Sequence, residues 1–302
     1  MKILNFGSCN IDYVYSVDHM VREGETISAD NMEVFSGGKG LNQSIAAARA
    51  GADIYHAGCI GTGGDFLKDM LLESGADVSY LRKEDISNGH AIIQLDKNGE
   101  NSICIYKGSN GMISEEHIDS VLDNFERGDI LLLQNEINNL PYLIEKGFEK
   151  GLQIVFNPSP FVDELRKIDL NHISYLILNE VEASGFSGKE NAAEFIDYVK
   201  ESYPNLKVVV TLGKKGCIYS DKDQTLRQSA FKVNAVDTTA AGDTFTGYFV
   251  SLVSAGADYA KAIKYASAAS ALAVSKKGAA PSIPVFEDVE KALPDLAPSD
   301  AQ

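Results

Sequence analysis

Three observations predict an α/β fold, with a mostly parallel sheet covered by helices on both faces and a small β lid beside it. After residue 112, short apolar runs at 130–133, 154–156, 175–178 and 208–212 alternate with helical segments at 139–150, 161–168 and 190–202. Each run opens on polar or glycine residues: Asn135 and Glu136, then Asn157, then Asn179, Glu180 and Glu182, then Gly213. That pattern draws one polar rim along the carboxyl ends of a parallel sheet, where open α/β folds place ligands. Two stretches, about 13–35 and 90–107, are not interleaved with helices and supply the lid.

The chain opens on an apolar strand over 2–6 that Gly7-Ser8 breaks. Asn10 and Asp12 then stand beyond its end, as ligand residues or equally as turn and capping residues. Residues 13–17 and 26–35 read as extended segments about the polar turn Arg22-Glu23-Gly24-Glu25. SGGKGLNQSIAAARAG, 36–51, is a glycine turn into an Ala-rich helix that ends at Gly51. It sets backbone amides and the Lys39 charge beside a helix start, although a plain strand-to-helix turn explains it as well. No GxxxxGK followed by Ser or Thr occurs in the chain, so a Walker A loop is excluded. A strand over 52–60 leads through Gly61-Thr62-Gly63-Gly64, which lacks the full GxGxxG spacing, into a helix over 65–74. HAIIQLD and NSICIYK flank Lys97-Asn98-Gly99-Glu100 as a hairpin.

NAVDTTAAGDTFTGYF, 234–249, is the most informative stretch. Phe245, Tyr248, Phe249, Leu252 and Val253 recur at helical spacing before Gly256, so Asp243 falls in a first turn. Unpartnered N–H groups and the macrodipole make such a start an anion site, and Ala240, Ala241 and Gly242 are small enough to let a phosphate reach the backbone. Asp243 is a helix cap on the plainer reading and a proton acceptor from an attacking hydroxyl on the other. Asn179, Glu180 and Glu182 could hold Mg²⁺ through waters or simply form an acidic helix start. The helix over 257–274 precedes a loop, 276–282, whose carbonyls and Ser282 hydroxyl could bind a small cation or line a nucleotide pocket, and the tail 294–302 is expected to fray.

Composition narrows the function. The 302 residues are 44% hydrophobic and 23% charged, as in an ordinary soluble globular protein. A net charge of -16 argues against a nucleic-acid or anionic-membrane surface. Cys9, Cys59, Cys104 and Cys217 show no paired spacing and read as reduced, buried thiols, which suits the cytoplasm. The five histidines have no metal-ligand spacing, no signal peptide is legible, and no apolar run is long enough to cross a membrane.

Taken together, FSGGKGLNQSIAAARAG (35–51) and VDTTAAGDTFTGYF (236–249) resemble the two signatures of the ribokinase-like carbohydrate kinases, the phosphofructokinase-B family, and the likeness spans roughly residues 2–292. The resemblance implies a ribokinase-like three-layer α/β/α sandwich, a single kinase domain over 1–302, and an ATP-dependent kinase of the primary hydroxyl of a small sugar, D-ribose first. It implies sugar contacts from Asn10, Asp12, Gly38, Lys39, Asn42 and Glu136, with Asp243 as catalytic base and Ala240, Ala241 and Gly242 as anion hole. Asn179, Thr211, Gly213 and Gly216 would meet ATP, and Glu182 would organise Mg²⁺ through water. Asp237, Thr239, Ala273, Lys276, Gly278 and Ser282 would hold a monovalent cation, potassium in this family. A homodimer formed through the lid is also implied. GTGGDFL departs from the family's usual glycine pattern, and Tyr13 and Tyr15 suggest a differently shaped sugar-facing edge. Alternatives are fructose, a keto-deoxy acid or a nucleoside as substrate, and a non-catalytic sugar or nucleotide sensor.

Overall fold

The computed structural model describes residues 1–299. Strand β1 (Ile3–Phe6) is wholly buried, and the chain passes from it through Gly7-Ser8-Cys9 straight into β2 (Asn10–Val17) of a second sheet. β3 (Asn31–Gly37) returns antiparallel to β2 and enters α1 (Lys39–Arg49) with only Gly38 between. At Gly38 φ is 95° and a Cβ would lie 2.9 Å from the Asn10 amide nitrogen, so only glycine makes this turn. β4 (Ile54–Thr62), α2 (Asp65–Ser74) and the edge strand β5 (Asp77–Ser87) follow, then the hairpin of β6 (Gly89–Asp96) and β7 (Asn101–Tyr106), then α3 (Glu115–Leu122). The alternating half runs β8 (Ile130–Gln134), α4 (Leu140–Lys150), β9 (Gln153–Asn157), β10 (Tyr175–Asn179), α5 (Glu180–Ser187), α6 (Ala192–Ser202) and β11 (Lys207–Thr211). β12 (Cys217–Ser220) and β13 (Thr225–Gln228) fold back antiparallel, and α7 (Ala241–Ser254), α8 (Tyr259–Val274) and α9 (Phe286–Ala292) complete the chain.

The large sheet has nine strands in the order β13-β12-β11-β10-β9-β8-β1-β4-β5, parallel from β11 to β5. Side chains alternate between its faces, and each face buries its own core. Ile3, Ile130, Leu132, Ile177 and Val209 pack with α1, α2, α7, α8 and α9; Leu4, Phe6, Leu131, Leu133 and Leu178 pack with α3, α4, α5 and α6. This is the predicted three-layer arrangement. Truncating Phe6, which is fully buried, to Ala would cost about 3–5 kcal/mol. The small sheet is ordered β3-β2-β6-β7.

Several expectations change. Asn10 and Asp12 are not loop residues past β1 but the opening of β2, paired with Gly37 and Phe35 and with Gly89 and Ala91. Strand periodicity therefore puts Tyr13 and Tyr15 on the opposite face of the small sheet from Asp12. Residues 26–30 are irregular, because pairing of β2 with β3 ends at Ser16 and Asn31. The helix expected over 161–168 shrinks to a short 3-10 turn at Asp163–Lys167, since Phe161 is drawn aside to pack its ring 5.0 Å from that of Phe186. The tail pairs rather than frays as far as it is described: Phe231 bridges to Pro298, and Lys232 N–H donates to Ala297 O at 2.9 Å; residues 300–302 lie outside the described part. Cys104 is exposed on β7, unlike the other three cysteines. No helix among the described residues is long and apolar enough to cross a membrane.

Candidate active site

The carboxyl ends of β1, β8, β9, β10 and β11 converge on the starts of α1 and α7. At the first of these starts, Glu136, just past β8, accepts hydrogen bonds from the Ser8 hydroxyl and, at 2.8 Å, from the Lys39 amide. Burial raises the Glu136 carboxyl above its ordinary range. Asp12 is pushed up to about 6 by burial and by the neighbouring Glu136 charge. Asn10 is oriented from outside the site. Asn110 Oδ1 must accept the Cys9 N–H at 3.0 Å, so its Nδ2 donates to Asn10 Oδ1 at 2.6 Å and the Asn10 NH₂ is left as donor.

Asp243 lies in the first turn of α7 and is 6% exposed. It does not cap its helix. The capping position is Ala240, whose side chain can accept nothing, and that leaves first-turn N–H groups open to a ligand. Of the three expected anion-hole residues, Ala241 already donates its N–H to Thr238 O at 3.2 Å, while a Cβ built on Gly242 would meet nothing within 4 Å. The Asp243 carboxylate instead faces α1: Asn42 Nδ2 donates to Oδ2 at 3.0 Å and Gln43 Nε2 to Oδ1 at 2.9 Å. Asn42 Oδ1 is buried and has no partner.

Lys39 stands between the two acidic groups. Burial lowers the affinity of its amine for a proton, but the charges of Asp243, Glu136 and Glu182 outweigh that and hold its pKa above the ordinary lysine value. Lys39, Asn179, Glu182, Thr211, Gly242 and Asp243 line one cleft. Asn179 and Glu182 form a reciprocal capping box at the start of α5, Asn179 accepting from the Glu182 N–H at 2.9 Å and Glu182 Oε2 from the Asn179 N–H at 3.0 Å. The acidic helix start and the cleft residue are thus the same side chain. Gly213 and Gly216 form the turn after β11, closed by Leu212 N–H to Gly216 O at 2.8 Å. At Gly216 φ is 104° and a Cβ would sit 1.9 Å from Gln228 O, so this glycine is needed for the turn itself.

The structure also joins the third predicted group. Asp237 Oδ1 accepts the Thr239 N–H at 3.0 Å, its Oδ2 accepts the Gly278 N–H at 2.9 Å, and its amide donates to Val274 O at 3.1 Å. These bonds tie 237–239 to the last turn of α8, which holds Ala273, and to the loop after it, which holds Lys276 and Gly278. Ser282, buried, donates its hydroxyl to Ala279 O at 2.8 Å. The Asp237 carboxylate, the Ser282 hydroxyl and backbone carbonyls supply oxygens there, as an alkali cation requires, whereas no group of three or more His, Cys, Asp or Glu among the described residues could hold a metal by itself.

Sequence reasoning missed Gln43, Asn110 and Ser8, buried polar residues that touch site residues, and Gln134 and Asn5, which stand behind Gln43. The signal was present for Gln43, which stands beside Asn42 on a helix whose neighbours are apolar; for the others only the fold brings them near.

A parallel α/β sheet whose strand ends converge on a buried aspartate and a lysine at two helix starts defines the class, a phosphotransferase that acts on a sugar hydroxyl. The chain belongs to the pfkB family of carbohydrate kinases, whose pattern it matches over residues 1–285. It is 36% identical over 308 residues to a ribokinase of Staphylococcus aureus, covering 96% of this chain and 99% of the relative. It is 30% identical over 309 residues to a deoxyribokinase of Salmonella typhi, covering 97% and 99%. The solved structure of an Arabidopsis thaliana ribokinase with ribose and ATP superposes with a TM-score of 0.84 at 30% identity, covering 96% of this chain and 98% of that one.

Proposed function

We propose that the protein is an ATP-dependent kinase of the primary 5-hydroxyl of D-ribose, forming ribose 5-phosphate and ADP. The observation that carries this reading is the Asp243 carboxylate, pinned by Asn42 and Gln43 at an uncapped helix start in one cleft with Lys39. Asn10, Asp12, Gly38, Lys39, Asn42 and Glu136 bind the sugar, the carboxylates accepting from its hydroxyls and the Asn10 NH₂ donating to one. Asp243 takes the proton as the hydroxyl oxygen bonds to the γ-phosphorus and the bond to the β-phosphate oxygen breaks. The anion hole of Ala240, Ala241 and Gly242, with the Lys39 ammonium, receives the charge on the transferring group, the Ala241 N–H turning to it from Thr238 O.

Asn179, Thr211, Gly213 and Gly216 serve the nucleotide. Glu182, with the oxygen its capping role leaves free, would hold Mg²⁺ through water, and the ion would supply positive charge to the phosphates. A potassium ion beside Asp237 and Thr239, with Ala273, Lys276, Gly278 and Ser282, would stiffen the approach to the anion hole. The whole chain acts as one kinase domain with the small sheet as its lid. That sheet exposes Met32, Val34 and Ile92 on the Tyr13 face and Ile103 and Ile105 on the Asp12 face, and β7 is exposed throughout, which supports pairing of two lids in a homodimer. Free thiols and a net charge of -16 fit a cytoplasmic enzyme of small molecules.

The deoxyribokinase relative gives 2-deoxyribose a specific claim as an alternative acceptor. A nucleoside loses support, since Tyr13 and Tyr15 face away from the Asp12 side. A coupled ADP-release assay over ribose, 2-deoxyribose, fructose, a keto-deoxy acid and nucleosides, with and without potassium, tests the assignment: turnover with ribose is expected to be fastest. Turnover only with another acceptor would overturn the ribose assignment, and none with any acceptor would favour a sensor.

A further inference from the structure

A chain of buried amides reaches Asp243 from inside the protein. Asn5 and Gln43 are fully buried, and Gln134 and Asn157 nearly so. Both ends rest on backbone carbonyls: Asn157 Nδ2 donates to Ile177 O and Asn5 Nδ2 donates to Gly40 O, each at 2.8 Å. A carbonyl can only accept, so these contacts decide which end of each amide is the NH₂. Asn157 Oδ1 is left to accept from Gln43 Nε2 at 2.9 Å, Asn5 Oδ1 from Gln134 Nε2 at 3.0 Å, and Gln43 Oε1 from Gln134 Nε2 at 2.8 Å. The second N–H of Gln43 then has one use, and it donates to Asp243 Oδ1.

We propose that Gln43 is a positioning residue for phosphoryl transfer, acting only through Asp243, whose carboxylate plane it fixes and whose Oδ1 it commits to accepting. The proposal rests on Asp243 being the base. Gln43 has no exposed surface, so it cannot touch sugar or nucleotide, in contrast to Asn42, which shares the carboxylate and has a free oxygen. Packing alone does not call for the arrangement, because apolar side chains of similar volume would fill the space without requiring four amides to satisfy one another. What the amides add is direction: backbone acceptors at both ends fix how each amide is turned, and the one N–H left over, on Gln43, goes to the carboxylate.

The test is Gln43→Met, close in volume and without donors. It is expected to lower kcat about 10- to 100-fold, the scale of a small misplacement of a reacting group, with calorimetric ribose affinity changed less than about two-fold. On an Asp243→Asn background the same substitution should leave the residual kcat within about two-fold, since a residue acting through one carboxylate has nothing further to lose. Unchanged kcat in Gln43→Met, a parallel loss of ribose affinity, or additive losses in the double variant would each overturn the proposal. Should Gln43→Met fail to fold, Gln134→Met decides the matter, as it takes away the donor that holds Gln43 Oε1 from outside the cleft: a kcat loss of about 3- to 10-fold, also absent on the Asp243→Asn background, is expected, and additivity refutes it. Wild-type kcat in Asp243→Asn alone would sink the base reading instead, a distinguishable failure.

Discussion

The cleft has two acidic walls of different construction. On the α7 side, Asp243 has a donor on each oxygen before any ligand arrives, and the Gln43 donor is held in turn by amides that reach backbone at Ile177 and Gly40. On the small-sheet side, burial and the Glu136 charge raise Asp12, burial raises Glu136, and both bind protons more tightly than ordinary carboxyls. One wall is finished without substrate; the other is completed by it. The contrast fits the proposed division of labour, since a group that must be aimed at a reacting atom gains from preorganisation, whereas a binding group can leave its acceptors for sugar hydroxyls to fill. Asn42 joins the walls, its NH₂ spent on Asp243 and its oxygen unpartnered.

The largest break in this contrast should come from Asp243→Asn. Steady-state assays are expected to show kcat lower by about 10³-fold with ribose binding retained in calorimetry; loss of both together would mean that the α7 wall binds as much as it catalyses. Asp12→Asn should do the reverse, raising the KM for ribose by about 10- to 100-fold, the worth of a charged hydrogen bond, and changing kcat less.

Sharpening comes from pH. With Asp12 titrating at about 6, kcat/KM for ribose should fall as pH drops through that value, and the fall should be absent in Asp12→Asn. Stability carries the opposite sign. The folded value lies above the unfolded 3.8, so the sugar-free protein holds the proton more tightly than the unfolded chain, and its stability declines as pH rises from about 4 to 6 and stays lower above that. Asp12→Asn should therefore melt higher than the parent at pH 8, by the order of 1–3 kcal/mol, and no higher at pH 3.5. A pH-independent difference between the two would remove the burial argument for this wall. The smallest effect on chemistry is expected from Ile103→Lys, on the exposed side of the lid. Sedimentation should show a shift from dimer to monomer, with kcat within a few-fold of the parent; an unchanged dimer would place the interface elsewhere.

Much of this was legible beforehand because it depends on local chemistry. The parallel half shows as short apolar runs since strands buried on both faces have no polar alternation to hide them. Edge strands β5 and β13 were not foreseen, because their sequences, DVSYLRKEDIS and TLRQ, are polar on the open side and blur the signal. Asp243 shows the limit for sites: its place in a first turn follows from the spacing of Phe245, Tyr248 and Phe249, but whether its carboxylate caps that turn or faces α1 does not.

What the sequence alone determined is therefore the layered fold, the glycine turn at α1, the open helix start at Ala240 to Gly242, and the family to which these belong. Each is a matter of residues within a turn or two of one another, where periodicity, φ and capping are decided locally. Only the tertiary structure decided that Asp12 belongs to β2 and pairs with Phe35 and Ala91, that Glu182 is both cap and cleft residue, and that Gln43, Asn157, Gln134 and Asn5 converge behind Asp243. Those facts depend on strand register and on contacts between residues more than a hundred positions apart, which no local rule encodes.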